Sequence, residues 1–234
     1  HIKMYNQWLA EKKIIINNAE EHPAAYLRFL TELQYATNVY YKEFLNSLGV
    51  QALVTGANNV EIKPLTLVRQ RLDFVDNHCY WNHPECYPEH PWQLPWMQTI
   101  TVSELGRCSG IHRIFGPCRV LGKPFTVTEF NYCYPNVYRA EGGPLMGAYA
   151  AFQSWDGLFR FDFGHDADIL EQERPAYVFG AVYDPINRMT EKMIALLFLR
   201  GDVATAKQYI PYLVREDSTF RRPNVRQDYF PDSI

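Results

Sequence analysis

The apolar residues of this chain change their spacing as the sequence proceeds. Between Ala24 and Leu48 the residues Leu27, Leu30, Leu33, Val39, Phe44, Leu45 and Leu48 recur three and four positions apart, and Gly49 follows as a stop signal. That pattern predicts helix over most of residues 1–48, with a break at Asn17-Asn18 and His22-Pro23. The spacing then shortens. Gln51–Thr55 is a compact apolar run closed by Gly56-Ala57-Asn58-Asn59 and predicts a strand. Leu72–Asp76, Pro124–Glu129 and Asp156–Phe163 predict three more. Helical stretches are expected between and after them: a short one over Pro64–Arg71, one over Leu145–Phe152 led in by Gly142-Gly143, and a long one to Leu199. The last is opened by Asp184 as N-cap and Pro185 in the first turn, where a missing N–H costs nothing. Residues 82–124, punctuated by Pro84, Pro88, Pro91, Pro95 and Pro117, predict a long irregular connection of the kind that shapes a site. Gln208–Val214 alternates like the opening strand of a further module.

Strand, connection, strand, repeated, argues for an α/β fold on a parallel sheet, either open or closed into a barrel. No Gly-x-Gly-x-x-Gly or phosphate-loop string is present, so nothing points to a nucleotide-binding open sheet. Composition narrows the function classes. With 234 residues, 47% of them hydrophobic and 21% charged, the chain reads as a globular protein rather than a disordered one. A net charge of −3 without a Lys/Arg-rich run argues against a nucleic-acid partner. No apolar stretch reaches the roughly 18 residues of a membrane span, and His1-Ile2-Lys3-Met4-Tyr5 lacks a signal-peptide pattern. Aromatic residues make up 15% of the chain, enough for a well-filled core and for flat platforms that stack on sugars. The 5 cysteines are an odd number and imply no complete disulfide framework; Cys108 and Cys118 fit a disulfide or two thiols equally.

Three strings carry chemistry-bearing residues. Thr126-Val-Thr-Glu-Phe-Asn131 places Glu129 at the C-terminal end of a strand, where parallel α/β folds put their active sites; the competing reading is a carboxylate that caps a helix or pairs with an arginine. Asp76-Asn-His-Cys-Tyr-Trp-Asn-His-Pro84 mixes hydroxyl-binding groups with rings at a second strand end. His78, His83, Cys86 and His90 are also metal-ligand types, but intervals of four, two and three residues match no zinc pattern. Ser154-Trp-Asp-Gly-Leu-Phe159 enters the last strand, where Trp155 serves either the core or the floor of a substrate site. No Gly-x-Ser-x-Gly elbow frames a serine nucleophile.

Together, Lys123-Pro-Phe-Thr-Val-Thr-Glu-Phe-Asn131, Pro135, Arg139-Ala-Glu-Gly-Gly143 and Ser154-Trp-Asp-Gly-Leu-Phe159 resemble the retaining glycoside hydrolases built on (β/α)8 barrels, the clan that includes the cellulase-like family 5. Leu53-Val-Thr-Gly56 and Val75-Asp-Asn-His-Cys-Tyr80 look like the two preceding strands, so the resemblance covers roughly residues 5–200. It implies the C-terminal half of a TIM barrel over residues 1–200: strand five at 50–55, six at 72–77, seven at 125–130 and eight at 154–162, with 201–234 as the start of a β-rich module. It implies Glu129 as the nucleophile, Tyr80 as the hydroxyl that orients it with His78 as the alternative, and Trp155 in the sugar subsite. Trp81, Asn131 and Asn58 are the further substrate-binding candidates, although the clan's pattern sets an aromatic residue where Asn58-Asn59 stands.

A retaining glycosidase needs a second carboxyl group about 5–5.5 Å from the nucleophile. In this clan it is a Glu after an Asn at the end of strand four, and the chain contains no Asn-Glu pair. Glu11, Glu20, Glu21, Glu32 and Glu43 all fall in stretches read as helix or loop, so the acid/base is expected upstream of His1 and the isolated chain is expected to be inactive. The expected partner is an oligo- or polysaccharide; no cofactor, metal, nucleic acid or membrane is expected. Open sheet edges predict that the isolated chain either forms a homodimer through them or belongs to a larger molecule. The compartment stays open, with a secreted or periplasmic location of the whole protein favoured. Two other classes compete: a non-catalytic carbohydrate-binding barrel module, and a zinc hydrolase using His78, His83, Cys86 and His90.

Overall fold

The structure, a computed structural model, describes residues 1–19, 21–59, 62–93, 95, 97–99, 101–105, 110–165, 167–173 and 175–220. Cys108 lies outside them, and with it the question of a bond to Cys118. Among the described residues no helix is long and apolar enough to cross a membrane. The chain divides into two compact units. One holds His1–Val75, Pro117–Pro124 and the described residues from Pro211; the other holds Asp76–Gly116 and Phe125–Ile210.

The first unit is helical: α1 (Ile2–Lys12), α2 (Glu21–Ser47), α3 (Lys63–Arg69) and, after the stretch 205–215 that joins no strand, α8 (Glu216–Thr219). Gln208–Val214, expected as a strand from its alternation, joins none. Tyr5 and Trp8 of α1 bury against Ala25 and Phe29 of α2, and Trp8 Nε1–H donates to Glu32 at 2.9 Å. His22-Pro23, expected as a break, sits inside the first turn of α2. Pro is tolerated there because the first N–H groups have no intrahelical acceptor. The start is held reciprocally: Asn18 Oδ1 accepts the Glu21 N–H at 3.1 Å, and the Glu21 carboxylate accepts the Asn17 N–H at 2.9 Å.

Residues 50–55, expected as strand five, form no strand. Val54 is instead clipped to one residue: its carbonyl accepts the Asp73 N–H at 3.1 Å and its N–H donates to Asp73 Oδ2 at 2.8 Å. Leu53 is left 66% exposed, so the apolar run that predicted burial gains none at its centre.

The second unit is the α/β part. Its sheet has the order β1 (Val75–Trp81), β4 (Phe125–Tyr132), β5 (Gly157–Arg160). β4 and β5 are parallel. β1 runs the same way: Val75 N–H bonds the Pro124 carbonyl at its start, and the Trp81 carbonyl accepts the Cys133 N–H at its end. β1 thus lies three residues later than the predicted 72–77 at its start and runs four further at its end. The connection 82–124 is less irregular than its prolines suggest, containing the short antiparallel pair β2 (Glu85–Cys86) and β3 (Met97–Gln98) and the helix α4 (Gly110–Cys118).

Behind the sheet, α5 (Gly142–Phe152) packs on α7 (Pro185–Ile194). The glycines expected to precede α5 belong to it because no side chain fits: a Cβ at Gly143 would lie 2.3 Å from the Thr190 carbonyl oxygen, and one at Gly142 would enter the Tyr132 ring. α7 starts as expected, with the Asp184 carboxylate accepting the Ile186 N–H at 3.0 Å, and its last turns up to Leu199 widen to π geometry. A short helix, α6 (Asp168–Glu171), lies between β5 and α7.

β4 carries one irregularity. Val127 stands opposite Leu158 and Phe130 opposite Arg160, so two residues of β4 span the place of one in β5. The fully buried apolar residues follow suit: Phe125 and Val127, then Phe130 and Tyr132. Thr128 and Glu129, the two residues that share the place of one, are both left out of that core face.

Candidate active site

Side chains of a strand alternate between its two faces, so Asp76, His78 and Tyr80 share one face of β1. Thr126 and Thr128 answer from the neighbouring β4, and the bulge adds Glu129 to them. These six residues form one hydrogen-bonded group that runs from Asp76 and Thr126, near the starts of the two parallel strands, to Tyr80 and Glu129 in their carboxyl-terminal halves, the side on which α/β sheets place their ligands.

Asp76 is its fixed point, 1% exposed. One of its oxygens accepts the Thr126 hydroxyl at 2.6 Å and the Thr128 N–H at 3.0 Å; the other accepts the Thr128 hydroxyl at 2.7 Å and lies 3.1 Å from His78 Nε2. The His78 ring bridges onward. Its Nε2 is 2.8 Å from Thr128 Oγ1 and its Nδ1 3.3 Å from Glu129 Oε2. The other Glu129 oxygen, Oε1, accepts the Tyr80 hydroxyl. Burial, and then the hydrogen bond to and charge of Glu129, push the Tyr80 phenol far above its ordinary value, so it stays protonated and remains a donor. Glu129 keeps 30% of its side chain exposed, which leaves it reachable from solvent.

A basket of rings adjoins Tyr80. His83, Phe161 and Phe179 lie 5.3, 6.4 and 5.3 Å from its centroid, and Trp92 reaches both His83 and Phe179. Asp162, just past β5, pairs with His165 at 2.7 Å, and His165 stacks among Phe161, Tyr177 and Phe179. The other Asp162 oxygen is buried without a hydrogen-bond partner among the described residues, and burial raises this carboxyl above the ordinary aspartate value against the pull of His165. Trp92, Phe161, Asp162, His165, Tyr177 and Phe179 were not singled out in the sequence. They lie at or beyond strand ends, where no periodicity marks them.

The remaining predicted residues go elsewhere. Trp155 is 5% exposed and packs edge-on against Phe115 and Phe125, at the opposite end of β4 from Glu129; its indole N–H finds no partner among the described residues. Asn131 is fully buried and saturated: its amide donates to the carbonyls of Phe161 and Phe179, and its oxygen accepts the Tyr132 N–H and Arg160 at 2.8 Å each. Trp81 donates its indole N–H to the Val102 carbonyl at 2.9 Å and lays its ring on Gly110, where a Cβ would come within 2.7 Å. Asn58 belongs to the first unit. His78, His83, Cys86 and His90 do not gather: His78 is committed to Asp76 and Glu129, His83 to the aromatic basket, and Cys86 packs beside the cluster of Met97, Cys133, Val178 and Phe179. Among the described residues no three His, Cys, Asp or Glu side chains are grouped to hold a metal ion.

The arrangement can present one solvent-reachable carboxylate, gripped at both oxygens, beside a wall of aromatic rings. No protein-family model, curated protein or solved structure matches this chain.

Proposed function

We propose that the chain is part of a retaining glycoside hydrolase, carrying strands six to eight of a (β/α)8 barrel and the segment ahead of them, with Glu129 as the nucleophile that attacks the anomeric carbon. One observation supports the reading: Glu129 stands in the carboxyl-terminal half of a parallel strand, with its Oε1 accepting the Tyr80 hydroxyl and its Oε2 3.3 Å from His78 Nδ1, while staying accessible. A carboxylate nucleophile has to be aimed by fixed donors and still be open to substrate. The rings beside Tyr80 suit the apolar face of a sugar. The proton donor in this reaction is a second carboxyl group, which the resemblance assigns to an Asn-Glu pair that this chain lacks. The three-stranded sheet supplies the counterparts of strands six, seven and eight in this reading, and 50–55 the segment ahead of them.

Replacing Glu129 with Gln keeps the shape and removes the nucleophile. In the intact protein that carries this chain, Glu129→Gln is expected to lower turnover of an activated aryl glycoside by at least about 10⁴-fold, within the range of enzymatic rate enhancements. Turnover at the parent rate removes Glu129 from the mechanism.

A further inference from the structure

Asp76 has no route to a substrate. It is 1% exposed and its contacts are all with the protein, yet it sits in direct line with Glu129 through one imidazole. The hydrogen bonds fix the line's direction. The Thr128 hydroxyl gives its only proton to Asp76 at 2.7 Å, so toward His78 Nε2, 2.8 Å away, it offers a lone pair. Asp76 Oδ2, 3.1 Å from the same nitrogen, offers another. Two acceptors converge on Nε2, and only a proton on Nε2 satisfies them. On the far side of the ring, Nδ1 faces Glu129 Oε2 at 3.3 Å.

We propose that Asp76 is a positioning residue which, by holding the Nε2 proton of His78, fixes the ring's orientation and points Nδ1 at Glu129. The inference rests on the glycoside hydrolase reading for its kinetic consequence and on geometry alone for the state of the ring. Asp76→Asn is nearly isosteric and keeps an acceptor for the Thr126 hydroxyl and the Thr128 N–H, but its amide N–H₂, in the place of Oδ2, faces both Nε2 and the Thr128 hydroxyl as a donor. The ring then turns its lone pair to position 76 and carries its proton on Nδ1 alone. Glu129 keeps a neighbour but loses the one whose protonation is set from behind. Asp76 and His78 form one line, so their effects on Glu129 are not independent.

The test uses the intact protein. Nitrogen-15 NMR of its histidine rings, with His78 assigned from the His78→Gln spectrum, is expected to show Nε2 protonated in the parent and not in Asp76→Asn. On the 4-nitrophenyl glycoside the parent turns over fastest, Asp76→Asn is expected to lower kcat about tenfold or more with KM unchanged within about twofold. Asp76→Glu, which restores a carboxylate, is expected to recover Nε2 protonation. The Asp76→Asn, His78→Gln double variant is expected to be no slower than His78→Gln alone. Losses that multiply in the double variant, or an Nε2 proton that survives Asp76→Asn, overturn the proposal. If the parent turns over none of the glycosides, the nucleophile reading falls and the ring spectrum alone decides the inference.

Discussion

At its first residue β4 is enclosed by rings: Phe125 meets Phe115 and Trp155 edge-on at centroid distances of 6.5 and 5.4 Å. From the next residue to Glu129, four residues on and about 13 Å along a strand, it offers two hydroxyls and a carboxylate to Asp76, His78 and Tyr80. Both ends are buried or half-buried, and both are well packed, but they are held by different forces. The aromatic end rests on apolar area and dispersion, which are non-directional and tolerate exchange of one ring for another. The polar end rests on matched donors and acceptors, where one wrong atom strands a buried partner. Stability is therefore expected to concentrate at the first end and function at the second.

Three substitutions test that division, beginning with the largest effect. Trp155→Ala should cost about 3–5 kcal/mol of stability, the range for removing a large buried ring, read as the shift of the denaturant midpoint. Trp155→Phe should restore all but about 1.5 kcal/mol, because it keeps a ring and deletes an indole N–H that has no partner among the described residues. If Trp155→Phe instead keeps stability and abolishes glycoside turnover, Trp155 belongs to the substrate site and the comparison breaks. Asp76→Ala comes next, at about 3 kcal/mol, since it empties a fully buried position and leaves the hydroxyls of Thr126 and Thr128 and the ring of His78 without their acceptor. A loss below about 1 kcal/mol would show that the network is not held together by its buried carboxylate.

The smallest effect has the opposite sign. Burial raises the Asp162 carboxyl in the folded state, so folding disfavours its charged form, and the penalty is present in full above the folded titration point. Stability relative to a neutral side chain then rises as pH falls through that point toward the ordinary aspartate value. Asp162→Asn is accordingly expected to be more stable than the parent at pH 7 by about 1 kcal/mol, with the gap closing in acid. Parallel thermal melts across pH check it; a variant less stable than the parent at pH 7 would show that the His165 pair outweighs the burial.

The legible parts of the site were those governed by alternation. Asp76, His78 and Tyr80 stand two apart and are on one face for that reason, and Glu129 ends an unmistakable β-branched run. Trp155 and Asn131 were not legible in the same way, because a Trp beside Asp-Gly or an Asn after a strand Glu has the same local sequence whether it faces a ligand or a core carbonyl. Only the tertiary partners decide, and here these are Phe115 and Phe125 for one and Phe161 and Phe179 for the other. α4 escaped notice because Gly110, Gly116 and Pro117 crowd its nine residues, and its helicity is imposed by packing of Ile111 and Phe115 in the core rather than by propensity. The apolar run 51–55 misled for the converse reason: hydrophobicity reports a preference for burial and says nothing about whether a neighbouring strand is there to pair with.

The extra residue in β4 has a consequence for how such a protein can change. Because Phe125, Val127, Phe130 and Tyr132 keep their places in the core on either side of it, the insertion lets the strand carry two consecutive residues outside the core face, one that braces His78 and one that meets Tyr80, with no change to the interior. Variation at Thr128 and Glu129, even loss of one of them, can be absorbed there without shifting the register of the core. The two functions of the strand are thereby uncoupled in inheritance: its interior can be conserved for folding while the chemistry beside it is lost, altered or regained one residue at a time.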